Sequence, residues 1–173
     1  MDDRGFIKVD ARFRTSCSRV FAIGDVIGDP MLAHKAIHEG TVLADQLAGK
    51  NAVFDPRAIP AVVFTDPGIA WAGVTEAEAK EQELDIVIKK IPWSASGRAV
   101  ALGRTDGLTK LIFDKPTGRL LGIGLTGSHV GEMISEGVLA LEMGAVGFDL
   151  TTMIHPHPTL SETIGETAGL IPG

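Results

Sequence analysis

The spacing of apolar positions divides the chain into two unlike stretches. Phe6-Ile7-Lys8-Val9-Asp10 alternates as a half-buried strand does. Val20-Phe21-Ala22-Ile23 is a short apolar run stopped by Gly24-Asp25, the form of a buried strand in an α/β sheet. Gly28-Asp29-Pro30 marks a turn. From Leu32 to Leu47 the period turns helical, with a stripe of Leu32, Ala36, Gly40, Leu43 and Leu47, and Gly49 as a fitting stop. Residues 1–50 therefore read as strand, turn and helix, one end of a larger α/β sheet rather than a domain.

Beyond Lys50-Asn51 the pattern changes. Arg57 to Thr65 is strand-like, Asp66-Pro67-Gly68 is a turn, and Ile69 to Val74 is a second strand. Thr75 followed by Glu78 spells a capping box that opens a helix to about Leu84. Asp85 to Pro92 alternates as a third strand. Thr109–Phe113 and Leu120–Leu125 flank Asp114-Lys115-Pro116-Thr117-Gly118 as a β-hairpin. Ser128 or Gly127 is expected to cap a helix to Met143, with a stripe of Val130, Met133, Ile134, Gly137, Val138 and Leu141, ended by Gly144. Asp149 can cap a short helix, and a last helix follows Thr159. Residues 51–173 thus predict an α+β fold, an antiparallel sheet with helices packed on it.

Composition narrows the function classes. The 173 residues are 45% hydrophobic and 22% charged, enough to bury a sizeable core. A formal net charge of −6 and the lack of a basic run argue against a nucleic-acid or membrane surface. No apolar run approaches the ~18 residues of a transmembrane helix, and the charged start, Met1-Asp2-Asp3-Arg4, is unlike a signal peptide. The expected compartment is the cytoplasm. Cys17 is the only cysteine, so the chain cannot form an internal disulfide, a redox dithiol or a thiolate metal cluster.

The stretch with most chemistry is His155-Pro156-His157-Pro158-Thr159-Leu160-Ser161-Glu162. Its prolines stiffen the backbone of both histidines. A fixed neutral imidazole beside a carboxylate is the arrangement of a general base near neutral pH. The residues equally fit a capping box, Thr159 at the N-cap and Glu162 reaching back to a backbone N–H, so on the pattern alone Glu162 is either a cap or a partner for His157. Asp25 ends a strand-like run, where α/β sheets bind ligands and a carboxylate can accept hydrogen bonds from sugar-like hydroxyls. Met31-Leu32-Ala33-His34 opens the following helix, whose N-terminus favours electron-rich groups. His38 and His129 read as surface residues, and no third ligand stands in register with His34 and His38 for a metal. No Gly-x-Gly-x-x-Gly leads into a helix, so no complete dinucleotide fold is expected within the chain.

In their order, Phe21-Ala22-Ile23-Gly24-Asp25-Val26, Pro30-Met31-Leu32-Ala33-His34-Lys35-Ala36, Thr65-Asp66-Pro67 and His155 to Glu162 resemble the dihydrolipoamide dehydrogenases, a family of flavin-dependent pyridine nucleotide–disulfide oxidoreductases. The resemblance implies that residues 1–50 are the end of an FAD-binding domain and 51–173 an interface domain that forms a homodimer. It implies that Asp25 hydrogen-bonds the ribityl chain of FAD and that Met31, Leu32, Ala33 and His34 pass beneath the flavin. His157 would deprotonate a dihydrolipoyl thiol, with Glu162 fixing its tautomer, and the pair would serve the flavin and disulfide of the partner subunit. The His157-Pro158 peptide would be cis. The enzyme so implied passes electrons to NAD and takes its substrate from the lipoyl domain of a 2-oxo acid dehydrogenase complex. The family's redox disulfide, FAD fingerprint and NAD domain are not in these residues, so the chain alone is expected to be inactive, with apolar side chains of the 20–47 segment exposed or packed on a neighbouring copy. Two other readings remain, a dimerisation module without chemistry and the same region of another flavin disulfide reductase. A catalytic His157 should be open on one side and held by Glu162, whereas a structural one should be enclosed.

Overall fold

The strands expected between residues 57 and 125 form one five-stranded antiparallel sheet in the computed structural model, which describes residues 1–170. They are β1 (Ala61–Val63), β2 (Gly68–Gly73), β3 (Ile86–Pro92), β4 (Leu108–Asp114) and β5 (Leu120–Gly127), in the spatial order β1-β2-β5-β4-β3. β4 and β5 form the expected hairpin at the sheet centre, in register from Leu108 opposite Thr126, with a slip at Ile112/Phe113. The turn is held by Asp114, whose carboxylate accepts the Thr117 N–H. β1 is shorter than the Arg57–Thr65 strand expected, because only Ala61–Val63 finds a partner, β2.

The sheet has one covered face. Along β2, Ala70 and Ala72 are buried while Ile69 and Trp71 are exposed, the period-two signature of one face packed and one open. The chain divides into two compact units, Met1–Pro56 and Arg57–Gly173. In the first, a helix α1 (Ala33–Leu47) follows a single 3-10 turn, Gly24–Ile27. In the second, the helices are α2 (Glu76–Glu81), α3 (Gly97–Leu102), α4 (Val130–Met143), α5 (Gly147–Thr152) and α6 (Glu162–Ala168). α4 lies on β2 and β5, and α6 on β3 and β4. Leu111, Phe113, Ile123 and Leu125 of the sheet meet Met133, Ile134 and Leu141 of α4 and Ile164 of α6 in one core. The α+β architecture read from residues 51–173 is the one observed.

A polar relay runs through that core. Trp93 is fully buried, and its indole N–H donates to the Thr109 hydroxyl at 3.0 Å. The Thr109 and Thr163 hydroxyls lie 2.7 Å apart, and Thr163 donates to the Leu160 carbonyl at 2.7 Å. Every member is satisfied, so the low dielectric strengthens the chain of bonds. Trp93 fits only because two neighbours lack side chains. A Cβ at Gly107 or Gly127 would stand 2.2 Å from its ring, and Gly127 also has φ +138°. The relay ties α6 to the sheet.

Several expectations fail for physical reasons. Phe6–Asp10 and Val20–Ile23 form no strand. Their backbone groups are used in local loops, Ile7 N–H to Val26, Ala22 N–H to Phe13 and Thr15 N–H to Val20, with one isolated bridge between Arg14 and Phe21. A strand needs a neighbour along its length, which the described residues do not provide. The face that α1 buries is Lys35, Glu39 and Val42 rather than the Leu32–Leu47 stripe, and Leu47 is exposed. The turn Trp93–Ala95 and helix α3 fall where no element was expected. Neither Ser128 nor Gly127 caps α4. Its N-cap is His129, in the left-handed region at φ 60°. Asp149 is not an N-cap either but sits inside α5, where its carboxylate accepts the Val146 N–H. No helix among the described residues is long and apolar enough to cross a membrane.

Candidate active site

α6 begins at Glu162 because the preceding segment cannot continue as helix. Pro156 and Pro158 bar helical geometry in the residues before them, and the His157-Pro158 peptide is cis. Glu162 then serves both functions that the pattern offered as alternatives. Its Oε2 accepts the Thr159 N–H at 2.7 Å, half of the expected capping box, while its Oε1 lies 2.8 Å from His157 Nδ1. The other half is absent, because the N-cap is Ser161 and the Thr159 hydroxyl donates to the Pro156 carbonyl. The backbone N–H of Thr159, and then His157, hold the Glu162 carboxyl below its ordinary range. An ionised Glu162 accepts a proton-bearing Nδ1, which leaves Nε2 as the acceptor. The His157 side chain is 81% exposed against 22% for Glu162, so a gripped imidazole presents its other nitrogen outward.

A second histidine pair was not foreseen. His155 Nε2 lies 2.8 Å from Oε1 of Glu136 on α4, and the His155 side chain is only 8% exposed. The signal available in the sequence was weak, since nineteen residues separate the partners.

In the first unit, Asp25 stands exposed in the 3-10 turn, which packs against α1. Met31, Ala33 and His34 are exposed and Leu32 half-buried at the α1 start. That start has no capping side chain and no acidic residue in its first turn, so its partial positive charge is not offset locally. The turn is pinned from behind. The Gly24 N–H donates to Glu39 Oε2 at 2.7 Å, and Glu39 Oε1 lies 2.8 Å from Lys35 Nζ with both side chains buried. The sequence does not single out this buried ion pair, because a Lys and a Glu four apart on a helix carry no signal of burial. Val20, Val26, Met31, Ile37 and Leu47 are exposed apolar residues of this segment. His38 and His129 are exposed, as is Cys17. Among the described residues no cluster of three or more His, Cys, Asp or Glu could hold a metal ion.

Comparison with known proteins gives consistent matches. Residues 59–168 match the dimerisation domain of the pyridine nucleotide-disulphide oxidoreductases, and residues 1–40 match the pyridine nucleotide-disulphide oxidoreductase model. The dihydrolipoyl dehydrogenase of Haemophilus influenzae is 49% identical over 173 residues, all of this chain and 36% of that protein. The dihydrolipoyl dehydrogenase of Thermus scotoductus is 52% identical over 168 residues, 97% of this chain and 36% of that protein. Among solved structures, the HOCl-induced flavoprotein disulfide reductase RclA from Escherichia coli superposes with a TM-score of 0.91 at 30% identity, over 99% of this chain and 40% of that one. The chain thus spans little more than a third of the length of these curated relatives. With its sheet, helices and most of its length matched in this way, the chain belongs to the pyridine nucleotide-disulphide oxidoreductase family, through that family's dimerisation domain.

Proposed function

We propose that this chain supplies the homodimer-forming region and the general base of a dihydrolipoamide dehydrogenase, and that it is inactive by itself. The observation that carries this reading is the His157–Glu162 contact of 2.8 Å on an imidazole open to one side. Glu162 holds Nδ1–H, and Nε2 accepts the proton of a dihydrolipoyl thiol. The imidazolium that results is stabilised by the same carboxylate, and the thiolate left behind is the nucleophile of disulfide exchange. The single cysteine of this chain cannot form the disulfide that exchange requires. That partner, the NAD site and the lipoyl domain that delivers substrate lie outside these residues. In the dimer, the His157–Glu162 pair of one subunit would serve the other.

FAD suits the residues of the first unit. Asp25 offers an exposed carboxylate on a turn fixed by Glu39, and the uncapped start of α1 at Met31–His34 offers a positive end for an electron-rich ring. Bound there, FAD would carry the electron pair between disulfide and nicotinamide. Asp25 and Met31–His34 would hold and orient it.

A chimera tests the reading. Residues 1–173 replace the matched region of the Haemophilus influenzae relative, and lipoamide-dependent NADH turnover is measured. The chimera should be active, and His157→Gln should lower its kcat by about 10²–10⁴-fold. Turnover by the isolated chain, or a fully active His157→Gln chimera, would overturn the proposal.

A further inference from the structure

We infer that the part-buried Glu136–His155 pair is a positioning device for His157. Glu136 on α4 grips the first histidine of the His-Pro-His-Pro segment, and Glu162 on α6 grips the second. The inference rests on the reading of His157 as a base.

The His155 ring sits in a slot built for it. Its Nε2 faces Glu136 at 2.8 Å. On the α6 side Gly165 leaves room that any other residue would fill. A Cβ there would stand 3.0 Å from His155 Cε1, 3.2 Å from Nδ1 and 3.1 Å from the Leu150 carbonyl. One end of the segment is thereby docked against α4 and α6. The Pro156 carbonyl that follows accepts the Thr159 hydroxyl at 2.8 Å, and the Thr159 N–H returns to Glu162. A continuous set of contacts therefore runs from Glu136 to the carboxylate that orients His157. The reason to need one is exposure. His157 is open to water, and a single hydrogen bond at its Nδ1 fixes an exposed ring poorly against lost rotamer freedom. Docking the backbone two residues away reduces what that bond must order. The second shell orients the group that does the chemistry.

The test is imidazole ¹⁵N NMR on the intact chain with both rings neutral, reading the tautomer of His157. The wild type should show His157 chiefly protonated at Nδ1. Glu136→Ala should lower that share at least about twofold, with the sheet and core intact by circular dichroism. Glu136→Gln, which keeps an acceptor toward His155, should largely restore it. Gly165→Ala, which crowds the His155 ring without removing its partner, should also lower it, and it decides the matter if Glu136→Ala does not fold. An unchanged His157 tautomer in a folded Glu136→Ala or Gly165→Ala chain overturns the positioning role. A wild type without the Nδ1–H form overturns the base reading itself, a distinguishable result.

Discussion

Thr163→Val is the sharpest test of how α6, and with it Glu162, is held. The substitution keeps shape and removes one hydroxyl from a fully buried position. The Leu160 carbonyl keeps a partner, because it also accepts the Thr163 N–H. The Thr109 hydroxyl proton does not. The hydroxyl oxygen already accepts from Trp93, and the proton faces the missing group 2.7 Å away. One stranded buried hydroxyl costs about 1–3 kcal/mol, which lowers Tm by roughly 5–12 °C in a unit of this size. Both tryptophans, Trp71 and Trp93, belong to the Arg57–Gly173 unit, so tryptophan fluorescence during urea or thermal unfolding reports that unit alone. Thr109→Val and the double variant complete a cycle. The hydroxyls touch, so the double variant should cost less than the sum by about 1 kcal/mol. A Tm within about 1 °C of wild type, or strict additivity, would show that the relay does not hold α6.

Further expectations follow from the same geometry. Glu162→Gln should flatten the acid limb of the stability curve. The lowered carboxyl contributes stability that is present above the ordinary carboxylate range and is lost as pH falls through its depressed value, so an identical acid limb in the variant would refute the assignment. Lys35→Met leaves the Glu39 carboxylate buried, with the Gly24 N–H still donating to it but no cation beside it. It should destabilise the first unit by about 3–5 kcal/mol, seen as loss of hydrogen-exchange protection in α1. Gly127→Ala drives a Cβ to 2.2 Å from the Trp93 ring at a positive φ. It should cost at least the upper end of about 1–3 kcal/mol, with a shifted Trp93 emission, and a neutral result would mean that the ring can move aside.

Local signals sufficed for much of this protein. The alternation at Ile69–Val74, the hairpin around Asp114–Gly118, the capping box of Thr75 and Glu78, and the stripe of α4 each encode their element within a few residues, because period and capping are short-range properties. The proximity of His157 and Glu162 was equally legible, since only five positions separate them and the prolines restrict the path.

Tertiary structure decided what no local window contains. Glu136 reaches His155 across nineteen residues, and Trp93 meets Thr109, and Thr109 meets Thr163, only once the sheet has closed and α6 has docked. Lys35 and Glu39 form a buried pair, with the Gly24 N–H donating to Glu39, and only the packed structure shows that burial. Val20–Ile23 had the composition of a buried strand and no neighbouring strand among the described residues to pair with. Which elements form is written in spacing along the chain. Which groups lose their water, and must therefore find partners far away in sequence, is fixed only when those elements pack.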